Sequence, residues 1–246
     1  MKSQKGFTLV ELAIAMIIVG LLIGGVLKGK ELVVNSRVTA TIAQAKATTA
    51  GMSTFKDMYR HLPGDLPTPL TFIPNCTNRC LQSNPALAGN GRIEAPFNML
   101  VQNIGYGAAF NNGPRTEDLV FWQHLSFANL ISGFNHETDL FLKTALPSGV
   151  FHPGYHPGFA LDNIRPGHYL QIGQQTSSGF NGFLFDAGMA SRIDVKMDDG
   201  MPYSGQVLTT SVGSPTPNCT HMVNGMRVYQ EVLTTATCPL YISLIK

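Results

Sequence analysis

Residues 5–25 read KGFTLVELAIAMIIVGLLIGG, an apolar run with one acid inside it. From Phe7 to Leu27 the polar side chains are Thr8 and Glu11 alone. At 1.5 Å rise per residue this run makes a helix of about 31 Å, the thickness of a bilayer's hydrocarbon core. A carboxylate inside such a core costs about 2.5–3.5 kcal/mol, so Glu11 needs a compensating partner.

Two ordinary readings fail to supply one. A secretory signal has a shorter apolar region followed closely by a small-x-small cleavage site. The nearest such pattern here, Ala43-Gln44-Ala45, lies beyond Lys28, Lys30 and Arg37. A plain membrane anchor accounts for the length but not for Glu11. Lys2 and Lys5 on one side are matched by Lys28 and Lys30 on the other, so the positive-inside rule does not decide orientation.

The string K-G-F-T-L-V-E followed by an apolar helix closely resembles the amino terminus of type IV pilins and type II secretion pseudopilins. The resemblance implies that residues 1–6 are a leader removed by a prepilin peptidase. The cut would fall between Gly6 and Phe7, and Phe7 would become the N-methylated terminus. Glu11 is then the fifth residue of the processed chain, where the family places its assembly glutamate. Chemistry supports that role. Cleavage creates an α-amine with a reference pKa near 7.7–8.0, largely cationic at neutral pH. Paired with a neighbour's amine, Glu11 gains Coulomb energy that desolvation largely offsets, so the pair sets register more than it adds stability.

Beyond Leu27, Val34, Val38, Ile42, Ala45, Met52, Phe55 and Tyr59 recur at helical spacing opposite Asn35, Arg37, Gln44, Lys46 and Lys56. Residues 28–60 therefore read as an amphipathic continuation of the same helix, ended by Pro63-Gly64. The family often has a helix-kinking proline just after the membrane run; Lys28-Gly29 stands there instead.

Residues 61–246 read as a globular head. Residues 61–115 are rich in Pro, Gly and Asn and predict a long loop region. Thr116 caps a second amphipathic helix, DLVFWQHLSFANLI, closed by Gly133. From Tyr169 onward, HYLQIGQQ, GFLFDAG, ASRIDVKMDDG, QVLTTSVG, MRVYQEVL and PLYISLIK read as short strands separated by turn signals. The fold class is α+β: a long amino-terminal helix, half transmembrane, packed on an antiparallel β-sheet head. MYRHLPGD, GNGRI, FWQHLSFANLISG and IDVKMDDGMPYSGQV also resemble strings of a branch of prepilin-like proteins.

The four cysteines, Cys76, Cys80, Cys219 and Cys238, are even in number and lack zinc-site spacing, which points to disulfides outside a reducing compartment. Three pairings are open, and the local one, Cys76–Cys80 with Cys219–Cys238, is favoured. Asp194, Asp198 and Asp199 cluster, and some pseudopilins hold calcium in a carboxy-terminal loop. Their string misses the EF-hand spacing, and Asp-Gly is also a good hairpin turn, so no metal site is assigned. His152 and His156, in FHPGYHPGF, read as a loop pair without an acidic ligand nearby in sequence.

Charge narrows the functional classes. Residues 1–59 carry seven Lys/Arg against three acids, while the remainder carries ten against twelve. The head therefore lacks the basic footprint of a nucleic-acid binder. Nucleophile elbows, phosphate loops and zinc-protease motifs are absent from the sequence, and no enzyme activity or cofactor is implied. The reading is a structural subunit of a type IV pilus or type II secretion pseudopilus, with its length leaning towards a minor subunit. The resemblance implies its partners: other pilin subunits, prepilin peptidase, an inner-membrane assembly platform and the membrane itself. It also implies the location, a bacterial inner membrane crossed once with the head in the periplasm, then a periplasmic or extracellular filament. Two rivals stand beside it. One is a filament-tip adhesin using loops within 61–168; the other is a membrane-tethered enzyme whose pilin-like start is coincidental.

Overall fold

The computed structural model describes residues 8–82, 84–94, 104–105, 115–158, 164–176, 179–210, 219–232 and 238–244. Its first element, α1 (Leu9–Tyr59), is one unbroken helix of 51 residues, about 77 Å long. The Lys28-Gly29-Lys30 stretch does not interrupt it. Arg60 stops it in the left-handed region (φ 62°), with its N–H bonded to the Lys56 carbonyl.

The two halves of α1 have different surroundings because their side chains differ. Every residue from Thr8 to Lys28 is exposed. In the second half Val38, Ile42, Ala45, Met52 and Phe55 form a buried stripe, spaced so that one face meets the head. That stripe shares one core with Phe121, Trp122 and Leu125 of α3 (Glu117–Phe127) and with sheet residues such as Phe151, Leu170, Ile172 and Leu240. A helix face packed on an antiparallel sheet is the α+β arrangement read from the sequence.

Between these helices lie α2 (Pro69–Phe72) and a 3-10 turn at Asn78–Cys80. The sheet comprises β1 (Ile104–Gly105), β2 (Leu142–Lys143), β3 (Gly149–His156), β4 (Gly167–Thr176), β5 (Gly179–Asn181), β6 (Val207–Thr209) and β9 (Leu240–Ser243). β7 (Thr220–Val223) and β8 (Met226–Tyr229) form a separate hairpin. Among the described residues every strand pairing is antiparallel. β4 is the spine: β3 lines one edge, with Phe151 opposite Ile172, while β9 and then β5 share the other. Gly173 is required where β4 meets β5, because a Cβ there would collide with the Phe180 ring and the Asn181 carbonyl.

Four sequence expectations are corrected. First, ASRIDVKMDDG is not a strand: Ala187–Met197 is α4. Alternating Ile193 and Val195 suggest a period of two, but Asp186 caps a helix by accepting the Met189 N–H at 2.7 Å, and Ala190, Ile193 and Asp194 bury one helical face. Second, α3 ends at Phe127 rather than running towards Gly133. Asn129 turns left-handed (φ 56°), its N–H meets the Ser126 carbonyl, and the Leu130 N–H meets the Leu125 carbonyl, which is a Schellman stop with asparagine in glycine's place. Third, FHPGYHPGF is not a loop, since Gly149–His156 is β3. Pro153 is tolerated there because Tyr155, two residues on and on the same edge, sends its N–H away from β4 to the Ile93 carbonyl. Pro153 thus faces the outer edge, where β2 does not reach, and no ladder bond is lost. Fourth, the expected GFLFDAG strand, residues 182–188, is replaced by an isolated bridge from Phe185 to Cys238 and the first residues of α4, with β5 lying just before it.

Candidate functional site

The amino-terminal half of α1 is apolar on every side, with Leu9 87 % and Leu21 73 % exposed. A helix without a polar face is stable in water only when something apolar surrounds it. By length and composition it is long and apolar enough to cross a membrane.

Glu11 sits in the first turn of this helix and is engaged there. Thr8 is the N-cap, and the two residues close a capping box. Glu11 Oε2 accepts the Thr8 N–H at 2.9 Å and the Thr8 hydroxyl at 3.0 Å. In return Thr8 Oγ1 accepts the Glu11 N–H at 3.3 Å. The sequence reading assigned Thr8 no role, although the T-x-x-E spacing that carries this box is a recognisable signal. Its consequence is chemical. The carboxylate lies at the positive end of its own helix dipole, with two orphan N–H groups satisfied reciprocally. Among the described residues these contacts reach Oε2, and none reaches Oε1. Gly6 and Phe7 lie outside the described residues.

The cysteines are joined in two bridges, Cys76–Cys80 and Cys219–Cys238. The first ties the 3-10 turn beneath α3; the second closes a loop around the β7–β8 hairpin.

Asp194, Asp198 and Asp199 do come together, with one carboxylate oxygen from each within 4.8 Å of the others. They stand at the end of α4 and the loop after it, not in a hairpin turn. Such a hard oxygen set suits calcium, but its oxygens are already hydrogen-bond acceptors. Asp194 takes the Tyr229 hydroxyl at 2.8 Å and the Gly200 N–H at 3.2 Å. Asp198 takes the N–H groups of Gln206 and Val207, and Asp199 takes the Met201 N–H at 2.8 Å and the Ser204 hydroxyl at 2.6 Å. A cation would have to share these oxygens with their donors. The cluster is a clasp that folds residues 198–207 back onto β6. Burial, reinforced by the two neighbouring acids, pushes the Asp194 carboxyl up to about 7.

His152 and His156 are both fully buried. His152 has an acidic neighbour that the sequence did not disclose: its Nε2 is 2.8 Å from Asp118 Oδ2 of α3. The pair locks α3 onto β3 beneath Phe141 and Phe180 and is closed to solvent. His156 Nδ1 accepts the Gly158 N–H at 2.9 Å, and burial holds this imidazole down at about 4. Both residues are structural.

A further polar joint is hidden from sequence reading because its parts lie far apart along the chain. Asp65 is buried and accepts three consecutive N–H groups, from Gly89, Asn90 and Gly91. Beside it Glu117 accepts the Glu94 N–H at 2.7 Å. Burial, with Asp65 and Glu94 adding repulsion, pushes the Glu117 carboxyl up to about 8. The strings LPGD and GNGRI are thus two sides of one joint.

A family model described as the prokaryotic N-terminal methylation motif matches residues 1–27. No curated protein and no solved structure matches the chain. An exposed apolar helix, a glutamate in its first turn and that motif coincide on the same residues. Residues 1–27 carry the type IV pilin and pseudopilin signature.

Proposed function

We propose that the chain is a structural subunit of a type IV pilus or type II secretion pseudopilus, assembled through α1. The observation that supports this most directly is the methylation motif on a helix left bare by the rest of the fold. Prepilin peptidase cuts between Gly6 and Phe7 and methylates Phe7. The segment 7–27 holds the subunit in the inner membrane, residues 28–60 join it to the head, and 61–246 form a periplasmic head. An assembly platform then transfers the subunit into a filament.

Glu11 guides that transfer. Its Oε2 keeps the capping box with Thr8 while Oε1 accepts the amine of a neighbouring subunit, so docking does not require the helix to lose its cap. The role is mechanical, and no catalytic residue is assigned. Mass spectrometry of the mature terminus tests the reading. In cells with active prepilin peptidase the chain should begin at a methylated Phe7; a chain still beginning at Met1 sinks the proposal.

A further inference from the structure

The head reaches down towards the end of the apolar segment through α4. Lys196 Nζ stands 3.5 Å from Thr39 Oγ1 of α1. Arg192, one turn earlier in α4, acts electrostatically on Glu31. Measured along α1 from Leu27, Glu31 is about 6 Å out and Thr39 about 18 Å. The polar layer of a bilayer is about 5–8 Å deep on each side. Arg192, which acts on Glu31, is thus the part of the α4 cationic face nearer that layer, and Lys196, at the level of Thr39, stands beyond it. The outward face of α4 presents Arg192, Val195 and Lys196, all exposed, at helical spacing.

On α1 itself Lys28 and Lys30 stand close to the end of the apolar run, both exposed. The acids nearest this level have partners of their own. Glu31 pairs with Lys28 at 2.6 Å, and Asp194 and its two neighbours hold the loop after α4. Glu231, which approaches α4 from the hairpin side, accepts the Ser191 hydroxyl at 2.7 Å. Cations dominate the rim of the apolar segment. Val195, 63 % exposed between two of them, gives the outer face of α4 the mixed basic and apolar character of an interfacial helix.

We propose that Lys30, Arg192 and Lys196 form a juxtamembrane collar that binds anionic phospholipid headgroups and seats the head on the membrane before assembly, with Lys28 offsetting Glu31 beside them. The attraction falls off within a Debye length, about 8 Å at physiological salt, so it acts on Arg192, which reaches towards Glu31, more strongly than on Lys196 at the level of Thr39. The collar then has to release its lipids as the subunit leaves the bilayer. This inference rests on the reading of residues 7–27 as membrane-spanning.

The test uses the full chain in vesicles carrying a dansyl-labelled headgroup, with Val195→Trp as fluorescence donor. The parent chain, whose Trp122 is buried, gives the background. Energy transfer should be roughly threefold greater when one lipid in three is phosphatidylglycerol than in pure phosphatidylcholine, and high salt should abolish the difference. Adding Arg192→Gln and Lys196→Gln should remove it, whereas Lys56→Gln, near the far end of α1, should not. Equal transfer in both lipids overturns the proposal. A double variant that keeps the full lipid difference yet enters filaments poorly overturns it too, and assigns the patch to a subunit contact. A chain that floats with neither vesicle removes the membrane reading, and the collar with it.

Discussion

His124 accepts the backbone N–H of Gly64 through Nδ1 at 2.9 Å. Its Nε2 donates to the Cys80 carbonyl at 3.0 Å. One neutral imidazole thereby ties the turn after α1 to the first disulfide loop, from a fully buried position stacked on Phe55. Burial holds its pKa down at about 4 against an ordinary 6.5.

The sign of the acid response follows. With its folded pKa depressed, His124 contributes stability that is present above 6.5 and lost as pH falls towards 4. His156 and His168, both held down at about 4 by burial, act in the same direction. Denaturant titrations of the disulfide-intact protein should show stability declining through that window. His124→Ala should cost about 3 kcal/mol near neutrality, because it strands a buried N–H and a buried C=O, and should flatten the acid decline.

Glu117 responds to pH in the opposite sense. Its folded pKa is raised from 4.5 to about 8, so its contribution is present below 4.5 and lost as pH rises towards 8. Asp194 behaves likewise from 3.8 to about 7. Glu117→Gln keeps an acceptor for the Glu94 N–H and removes the charge. The variant should be more stable than the parent above pH 8 by about 1 kcal/mol or more, with the advantage vanishing in acid. Thermal melts across pH would measure this.

Gly64 leaves no room for a side chain. Its φ is +91°, and a Cβ would collide with the Glu117 carbonyl. Gly64→Ala should therefore destabilise by about 2–4 kcal/mol. It should also weaken the His124 joint, which proteolysis of the 61–94 region would reveal.

The Cys219–Cys238 bridge closes a loop of separation 19. On the loop-entropy model its removal by a double Ala substitution costs about 3 kcal/mol, against about 2 for Cys76–Cys80. Reduction should expose the β7–β8 hairpin to protease before α1 or the main sheet, as limited digestion followed by mass mapping would show.

Glu11→Gln and Thr8→Ala separate the two roles of the first turn. The glutamine variant retains a cap acceptor but loses the charge. It should be processed and inserted normally, yet enter filaments at least tenfold less, a drop of about 1.4 kcal/mol or more in docking. Thr8→Ala should cost about 1 kcal/mol of helix stability and fray the first turn, detectable by amide exchange in detergent. Normal incorporation of Glu11→Gln would remove the ion-pair argument.

Features that depend on local periodicity are legible in the sequence. The apolar run and the stripe from Val38 to Phe55 disclose α1 almost to its last residue, because a helical face repeats within a few residues. The α+β class follows from it and from β4, β8 and β9. Segments that escape such reading are those where a distant partner or a single cap decides. Asp186 turns an alternating string into α4, and the outer-edge position of Pro153 makes a strand of a Pro-Gly sequence. The Asp65 joint spans more than twenty residues, and His152 meets Asp118 across thirty-four. No spacing rule reaches that far. Thr8 is different: its capping box has a local signature, overshadowed by the question of charge at Glu11.

The first residue of α1 to be buried against the head is Val38. It comes 29 positions after Leu9, or about 44 Å along the axis, half again the thickness of a hydrocarbon core. The head is thus carried on a spacer. On the proposed function, a subunit exchanges lipid for neighbouring helices over its whole apolar length while the core around Trp122 stays untouched. The proposed passage between bilayer and filament would then be a change of solvent for one rod, not a refolding of the body attached to it.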